Sequence, residues 1–173
     1  GVPIPEEYGG FGGGCFDIVL TVEQLGRGCI GVGTAFAANF LGVYPIILAG
    51  SEEMKQKYLP DVASGKKFGA FGLTEANAGS DASGIQTTAV LDGDEWVLNG
   101  TKQWITNGGE AQIYSVVAIT DRSRGPRGAS LFVVEEGDPG FSCGAKERKM
   151  GIRASSTTRG RCSSAPSATR SAA

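Results

Sequence analysis

Phe71-Gly72-Leu73-Thr74-Glu75-Ala76-Asn77-Ala78-Gly79-Ser80-Asp81 marks the place where the chain changes its period. Before it, apolar residues recur at helical spacing. From Phe68 onward they alternate with polar ones, the two-residue period of half-buried strands. The stretch itself reads as a strand end giving way to small residues, with hydroxyls and carboxylates interspersed. Small residues let backbone N–H groups converge on an anion, and Thr74 and Ser80 add hydroxyl donors. Taken alone, a polar loop between strands accounts for it at least as well.

Downstream, Glu95–Leu98 and Thr101–Ile105 flank Asn99-Gly100, the pair preferred in a type I′ turn, so a hairpin is expected there. Trp104-Ile105-Thr106 then lies on its far strand, with Trp104 and Thr106 on one face. A large flat indole beside a hydroxyl suits a flat heteroaromatic ligand, while a core-filling Trp is the plainer alternative. Thr87–Leu91, Ile113–Thr120 and Ser130–Glu135 read as further strands, separated by Asp92-Gly93-Asp94 and the Ser123–Gly128 loop. Upstream, Asp17–Leu25 has helical spacing, with Asp17 as a possible cap and Gly26 as a stop. A second apolar segment runs from about Thr34 to Val43, after which Pro45 sets a new start. Ser51-Glu52-Glu53 opens a third helix with a capping hydroxyl and two acids favoured by the helix dipole. The pattern predicts an α+β chain, a helical region followed by an antiparallel β-barrel.

Gly26-Arg27-Gly28-Cys29-Ile30-Gly31 fits the G-x-G-x-x-G pattern, with acids about twenty residues on. That fingerprint needs a strand before it and a helix opening at its end, whereas an amphipathic helix precedes it here. A glycine-rich link between two helices is the better reading.

Composition excludes several function classes. The 173 residues carry a net charge of −2, so no basic field points to nucleic acid or an anionic membrane. No histidine is present, which removes Ser-His-Asp and Cys-His catalysis and the commonest metal sites. The four cysteines form no C-x-x-C pair, so no metal site or disulfide framework is indicated and a reducing, cytoplasmic setting is the default. No apolar run approaches the roughly 20 residues that span a bilayer, and the N-terminus lacks the features of a signal peptide. Glycine, at 28 residues, far exceeds the usual share of about 7%, implying tight turns or close backbone approaches. From Ala154 the chain is Ser, Ala, Thr and Arg with one Gly, Cys and Pro, no acid and no large apolar side chain, a composition expected to stay disordered.

In combination the motifs become specific. F-G-L-T-E-A-N-A-G-S-D followed by N-G-T-K-Q-W-I-T-N-G resembles the acyl-CoA dehydrogenase family. Pro3–Gly10, Gly50–Pro60 and Lys149–Ser155 fit the same family in order, over about residues 1–156. Ala82–Val90 is most similar to the short-chain, butyryl-CoA type. Ala76 departs from the pattern, standing where the family usually has proline, which loosens the turn without removing a cofactor contact.

The resemblance implies residues 1–67 as part of the N-terminal helical domain and 68–156 as the middle, FAD-binding β-barrel. It leaves 157–173 as a disordered tail or a frameshifted translation, since the family continues there into an acid-containing apolar strand. Reading the gene in its other frames tests the frameshift. Family members bind FAD and oxidise an acyl-CoA to the trans-2-enoyl-CoA, passing electrons to electron-transfer flavoprotein. By residue matching, Thr74 and Thr106 would bond the flavin ring and Trp104 would pack against it. Phe71, Leu73, Gly79, Ser80 and Ile105 would complete the flavin contacts. Ser80 and Leu41 would border the acyl-CoA substrate. The family's catalytic glutamate lies in a C-terminal four-helix bundle that also builds the homotetramer. No acid here matches that glutamate, so the chain is expected to be inactive alone. A catalytically dead remnant or a binding module with a partial FAD or acyl-CoA surface is the alternative, and an acyl-CoA oxidase shares the fold.

Overall fold

Helix α1 (Cys15–Gly28) opens with the Gly14 N–H donating to the Asp17 carboxylate at 2.8 Å. Asp17 therefore caps from inside the first turn, and Gly26 does not stop the helix, because α1 runs on to Gly28 before Cys29 turns extended. A glycine within a helix costs only about 1 kcal/mol, which neighbouring packing overrides. Helix α2 (Ile30–Ala49) likewise passes through Pro45, where a new start was expected. The Ser115 hydroxyl donates to the Gly42 carbonyl at 2.6 Å in that stretch, supplying polar contact from the sheet. Helix α3 (Glu52–Ala63) starts as the sequence indicates, the Ser51 hydroxyl accepting from the Met54 N–H at 3.2 Å. The glycines from Gly26 to Gly31 do link two helices, with no strand before them.

This computed structural model describes residues 1–167 and 169–171, with side chains as far as Cys162. After the helices come β1 (Gly69–Gly72), β2 (Thr88–Asp92), β3 (Glu95–Thr106), β4 (Ile113–Ile119), β5 (Ala129–Glu135), β6 (Phe141–Cys143), β7 (Thr157–Ser167) and β8 (Thr169–Ser171). They form one curled sheet in the order β6-β7-β3-β2-β4-β5-β8, with β1 also paired to β4. Most neighbours are antiparallel as expected. The β1–β4 and β2–β4 pairings are parallel, so the half-barrel is mixed.

Asn99-Gly100 is not a turn. Both residues lie inside β3, and the hairpin forms between β2 and β3 around Asp92–Glu95, with Gly93 at φ 62°. Gly100 serves close approach instead, since a Cβ there would overlap the side chain and Cα of Thr87. Beyond Thr157 the chain is a strand where composition suggested disorder. β7 pairs with β3 from Thr106↔Thr157 to Trp96↔Ser167. Main-chain pairing needs no bulky side chains, and Gly160 lets the Ile105 side chain come close.

One core lies within the sheet, around Leu98, Ile105, Tyr114, Val116, Phe132 and Val134. A second joins α2 and α3 to Ile113 and Val133. Across the seam, Asn39 Oδ1 accepts from the Gly69 N–H at 2.5 Å. With 20 residues and mean hydropathy 1.7, α2 is long and apolar enough to cross a membrane, which corrects the expectation that no stretch would be. Here it packs as a core helix, burying Asn39, Phe40, Val43 and Ile46 against α3, β1 and β4.

The opposite helix surface is open. α1 contains no buried residue, and Phe16, Val19, Leu20, Ile30, Val32 and Leu48 are exposed. Patches of this kind mark contact surfaces or association liabilities. The purified chain should therefore brighten an apolar dye and grow in light scattering as concentration rises. A dark dye and a concentration-independent monomer would contradict this.

Candidate functional site

Strand β3 carries an irregularity where it meets β7. Lys102 pairs with Gly160 and Ile105 with Thr158, so Gln103 and Trp104 together face one partner residue. This is a bulge, and it bends the strand and re-aims a side chain. Trp104 has φ 57°, a left-handed conformation rarely held by a bulky residue without support from its surroundings. Ile105 returns to the core at 1% exposure, while Trp104 stands out at 55%. Thr106, half-buried, lies beyond Ile105 on the Trp104 side.

The Leu73–Asp81 segment is sewn to that bulge. The Gln103 N–H donates to the Thr74 carbonyl at 2.7 Å. Lys102 Nζ donates to the Leu73 carbonyl at 3.0 Å and to Glu75 Oε1 at 2.7 Å. Glu75 also accepts from the Gln86 N–H (2.6 Å), the Thr87 N–H (3.0 Å) and the Thr87 hydroxyl (2.6 Å). Burial disfavours its charge, but the hydrogen bonds from Lys102, Thr87 and Gln86 outweigh that and hold its pKa at about 2. Burial pulls Lys102 below its ordinary value, and the carboxylate opposes the fall. An ionised Glu75 facing a protonated Lys102 satisfies every one of these contacts. Glu75 and Ala78 then bond each other's main chain, closing a tight turn before Gly79 and Ser80.

Of the residues picked out from sequence, Thr74 is thus bonded to the residue before Trp104, Thr106 lies two residues further along β3, and Gly79 and Ser80 follow Thr74 on its segment. The hydroxyls of Thr74, Ser80 and Thr106 make no side-chain hydrogen bond among the described residues. Gly79 and Ser80 are exposed, and a Cβ at Gly79 would meet nothing. Leu73 packs beside Ala78, Ile85 and Ile119. Ile105 points into the core and could reach a ligand only through its main chain. Phe71 and Leu41 line one apolar cleft of about 420 Å³ with Tyr44, Leu48, Val117 and Leu131. Ser80 does not line that cleft.

A larger cavity, of about 960 Å³, contains none of these residues. It lies between Val32, Ala35 and Phe36 of α2 and the 146–157 segment. Two of its cations are already engaged: Lys146 pairs with Glu110, and Lys149 binds the Ser155 carbonyl and the Thr157 hydroxyl. Size alone does not make it the site; the Thr74, Ser80 and Thr106 hydroxyls and the exposed Trp104 indole are not among its lining residues.

The Glu75–Lys102 pair escaped the sequence reading. The signal was available: Lys102 lies in a strand with a polar neighbour on either side, and it is the only cation in Glu95–Thr106. Asp81 is tied up as well, accepting from the Ser83 hydroxyl (2.5 Å) and N–H (3.0 Å), which lower its pKa. Neither carboxylate is poised to take a proton.

A flat, polar-edged group fits this surface. It needs an open aromatic face, hydroxyls without partners, and a small-residue turn leaving backbone room. Trp104, Thr74 with Thr106, and Gly79 with Ser80 supply these in turn.

Known proteins resemble the chain over most of its length. Residues 1–66 match the family described as "Acyl-CoA dehydrogenase, N-terminal domain", and 70–163 match "Acyl-CoA dehydrogenase, middle domain". "Acyl-CoA dehydrogenase, short-chain specific" of Clostridium acetobutylicum is 48% identical over 159 residues, 91% of this chain and 42% of that protein. The butyryl-CoA dehydrogenase structure from Megasphaera elsdenii superposes with a TM-score of 0.89 at 42% identity, covering 99% of this chain and 48% of the other. An acyl-CoA dehydrogenase complexed with FAD from Bacillus anthracis gives 0.87 at 41% identity, covering 96% and 29%. This chain therefore spans less than half the length of each.

Proposed function

Because the chain belongs to the acyl-CoA dehydrogenase family, we propose that it supplies the flavin-facing half of an FAD-dependent enzyme oxidising short-chain acyl-CoA. The observation that carries this is the exposed, bulge-mounted Trp104, next to Gln103, whose N–H holds the Thr74 carbonyl; the Thr74 and Thr106 hydroxyls have no side-chain hydrogen bond among the described residues. A bound flavin would supply hydride acceptance from the substrate's β-carbon. This chain's part is to hold the ring: Trp104 offers a face to stack on, and Thr74 and Thr106 offer donors at its polar edge. Donors there stabilise negative charge gained on reduction. Gly79 and Ser80 provide a polar turn for the phosphates, with Phe71 and Leu73 flanking the ring. The Phe71–Leu41 cleft is apolar and suits an acyl chain; Ser80 is assigned to the thioester arm by the family resemblance alone.

We further propose that proton abstraction from the substrate falls outside this chain; in support, the two acids of the 71–81 segment, Glu75 and Asp81, are occupied as hydrogen-bond acceptors. The electron acceptor we propose is electron-transfer flavoprotein, and the assembled enzyme a homotetramer. All cysteines are free, in keeping with a cytoplasmic, reducing setting.

Titrating FAD against the chain tests the reading. Flavin fluorescence should quench on binding, and Trp104→Ala should weaken binding by about tenfold or more, as loss of a stacking platform worth roughly 1–3 kcal/mol implies. Equal affinity in the variant would refute the assignment. The chain alone should not turn over butyryl-CoA; measurable enoyl-CoA formation would show that a base is present after all.

A further inference from the structure

Stability alone gives a buried ion pair little reason to exist, because an apolar pair of like volume is usually as stable. Lys102, 2% exposed, and Glu75, 8%, nevertheless lie buried beside the site. Their links fall on consecutive residues. Leu73 is held through its carbonyl by Lys102 Nζ, Thr74 through its carbonyl by the Gln103 N–H, and Glu75 through its side chain by Lys102 Nζ. The residue next after Gln103 is Trp104, held at φ 57°. On the far side, Glu75 grips Gln86 and Thr87 at the entry to β2. One ammonium thus holds the Leu73 carbonyl and the Glu75 carboxylate, on either side of Thr74, while sitting two residues from Trp104.

We propose that Lys102 and Glu75 are positioning residues that lock the Thr74 main chain against the Trp104 bulge and so set the spacing between the stacking face and the hydroxyl donor. This inference rests on the flavin reading of the site. A methionine at 102 would fill the same volume, but it could hold neither the Leu73 carbonyl nor the carboxylate. The strand would survive, and the register between the two flavin-facing groups would loosen.

The test compares the full chain with Glu75→Gln and with the double variant Glu75→Gln/Lys102→Met, which removes both charges together. Amide exchange is followed residue by residue, and FAD itself is titrated by fluorescence quenching. In the double variant, melting should return close to the parent and β4–β5 amides should keep their protection. The Gln103 amide should exchange at least tenfold faster, and FAD affinity should drop at least tenfold. Glu75→Gln should move in the same direction by less, and it carries the test should the double variant fail to fold. Retained Gln103 protection with unchanged FAD affinity would overturn the proposal, because the pair would then serve stability only. If the parent chain takes up no FAD while Gln103 still loosens in the variants, the lock stands and the cofactor reading falls.

Discussion

Lys102→Met should destabilise the chain by about 3–5 kcal/mol, lowering its melting temperature by roughly 10 °C or more. The substitution leaves Glu75 buried with its charge and without its cation. The remaining donors, from Gln86 and Thr87, do not neutralise it. Calorimetry on parent and variant measures the loss, and a fall under 1 kcal/mol would show the pair to be better hydrated than its burial suggests. A pH scan adds an independent reading. The folded pKa of Glu75, about 2, is depressed below its unfolded 4.5, so its contribution is complete above pH 4.5 and is lost as pH falls toward 2. The parent should lose stability over that window. In Lys102→Met the acid-side loss should be smaller, because protonating an unpaired buried carboxylate relieves it.

Gly42→Val should be nearly as damaging, for a steric reason. A Cβ at Gly42 would overlap the main chain of Gly69 and Ala70, where α2 lies against β1. Overfilling a packed site typically costs 1–3 kcal/mol. Here the obstacle is backbone, so about 3 kcal/mol or more is expected. The shift should also disturb the Asn39–Gly69 hydrogen bond across the same seam. Gly26→Ala is the control: a Cβ there meets nothing, and replacing a mid-helix glycine should stabilise by about 0.5–1 kcal/mol. Denaturant midpoints for the two variants decide the point; equal midpoints would refute the seam argument.

The sequence was most legible where local chemistry and tertiary packing agree. Ser51 caps α3 as its hydroxyl and the following acids suggest, and the alternating runs beginning near Thr87, Ile113 and Ser130 are strands. It misled where a residue has two uses. Gly100 satisfied a turn rule but is a glycine because Thr87 leaves no room, while the real turn sits at Gly93. Pro45 satisfied a breaker rule but is carried within a helix packed against the sheet. Trp104, Thr74 and Thr106 stand out in the sequence because their motifs suggest chemistry. The bulge that brings them together was invisible, because it depends on a partner strand more than fifty residues away. The 157–162 strand was missed because composition reports on side-chain burial, whereas this strand is held largely through its backbone.

That pairing has a consequence for the order of assembly. β3 meets β2 across a short turn, so this hairpin can close while the chain is still emerging from the ribosome. Its other edge waits for β7, and until Thr157 and its successors are made, β3 presents a row of unpaired amides and carbonyls beside the exposed Trp104 indole. Open edges of this kind invite pairing with other chains. A slow stretch of translation between codons 107 and 156 would prolong the exposure, so synonymous changes there would alter the soluble yield of a protein whose amino-acid sequence they leave intact.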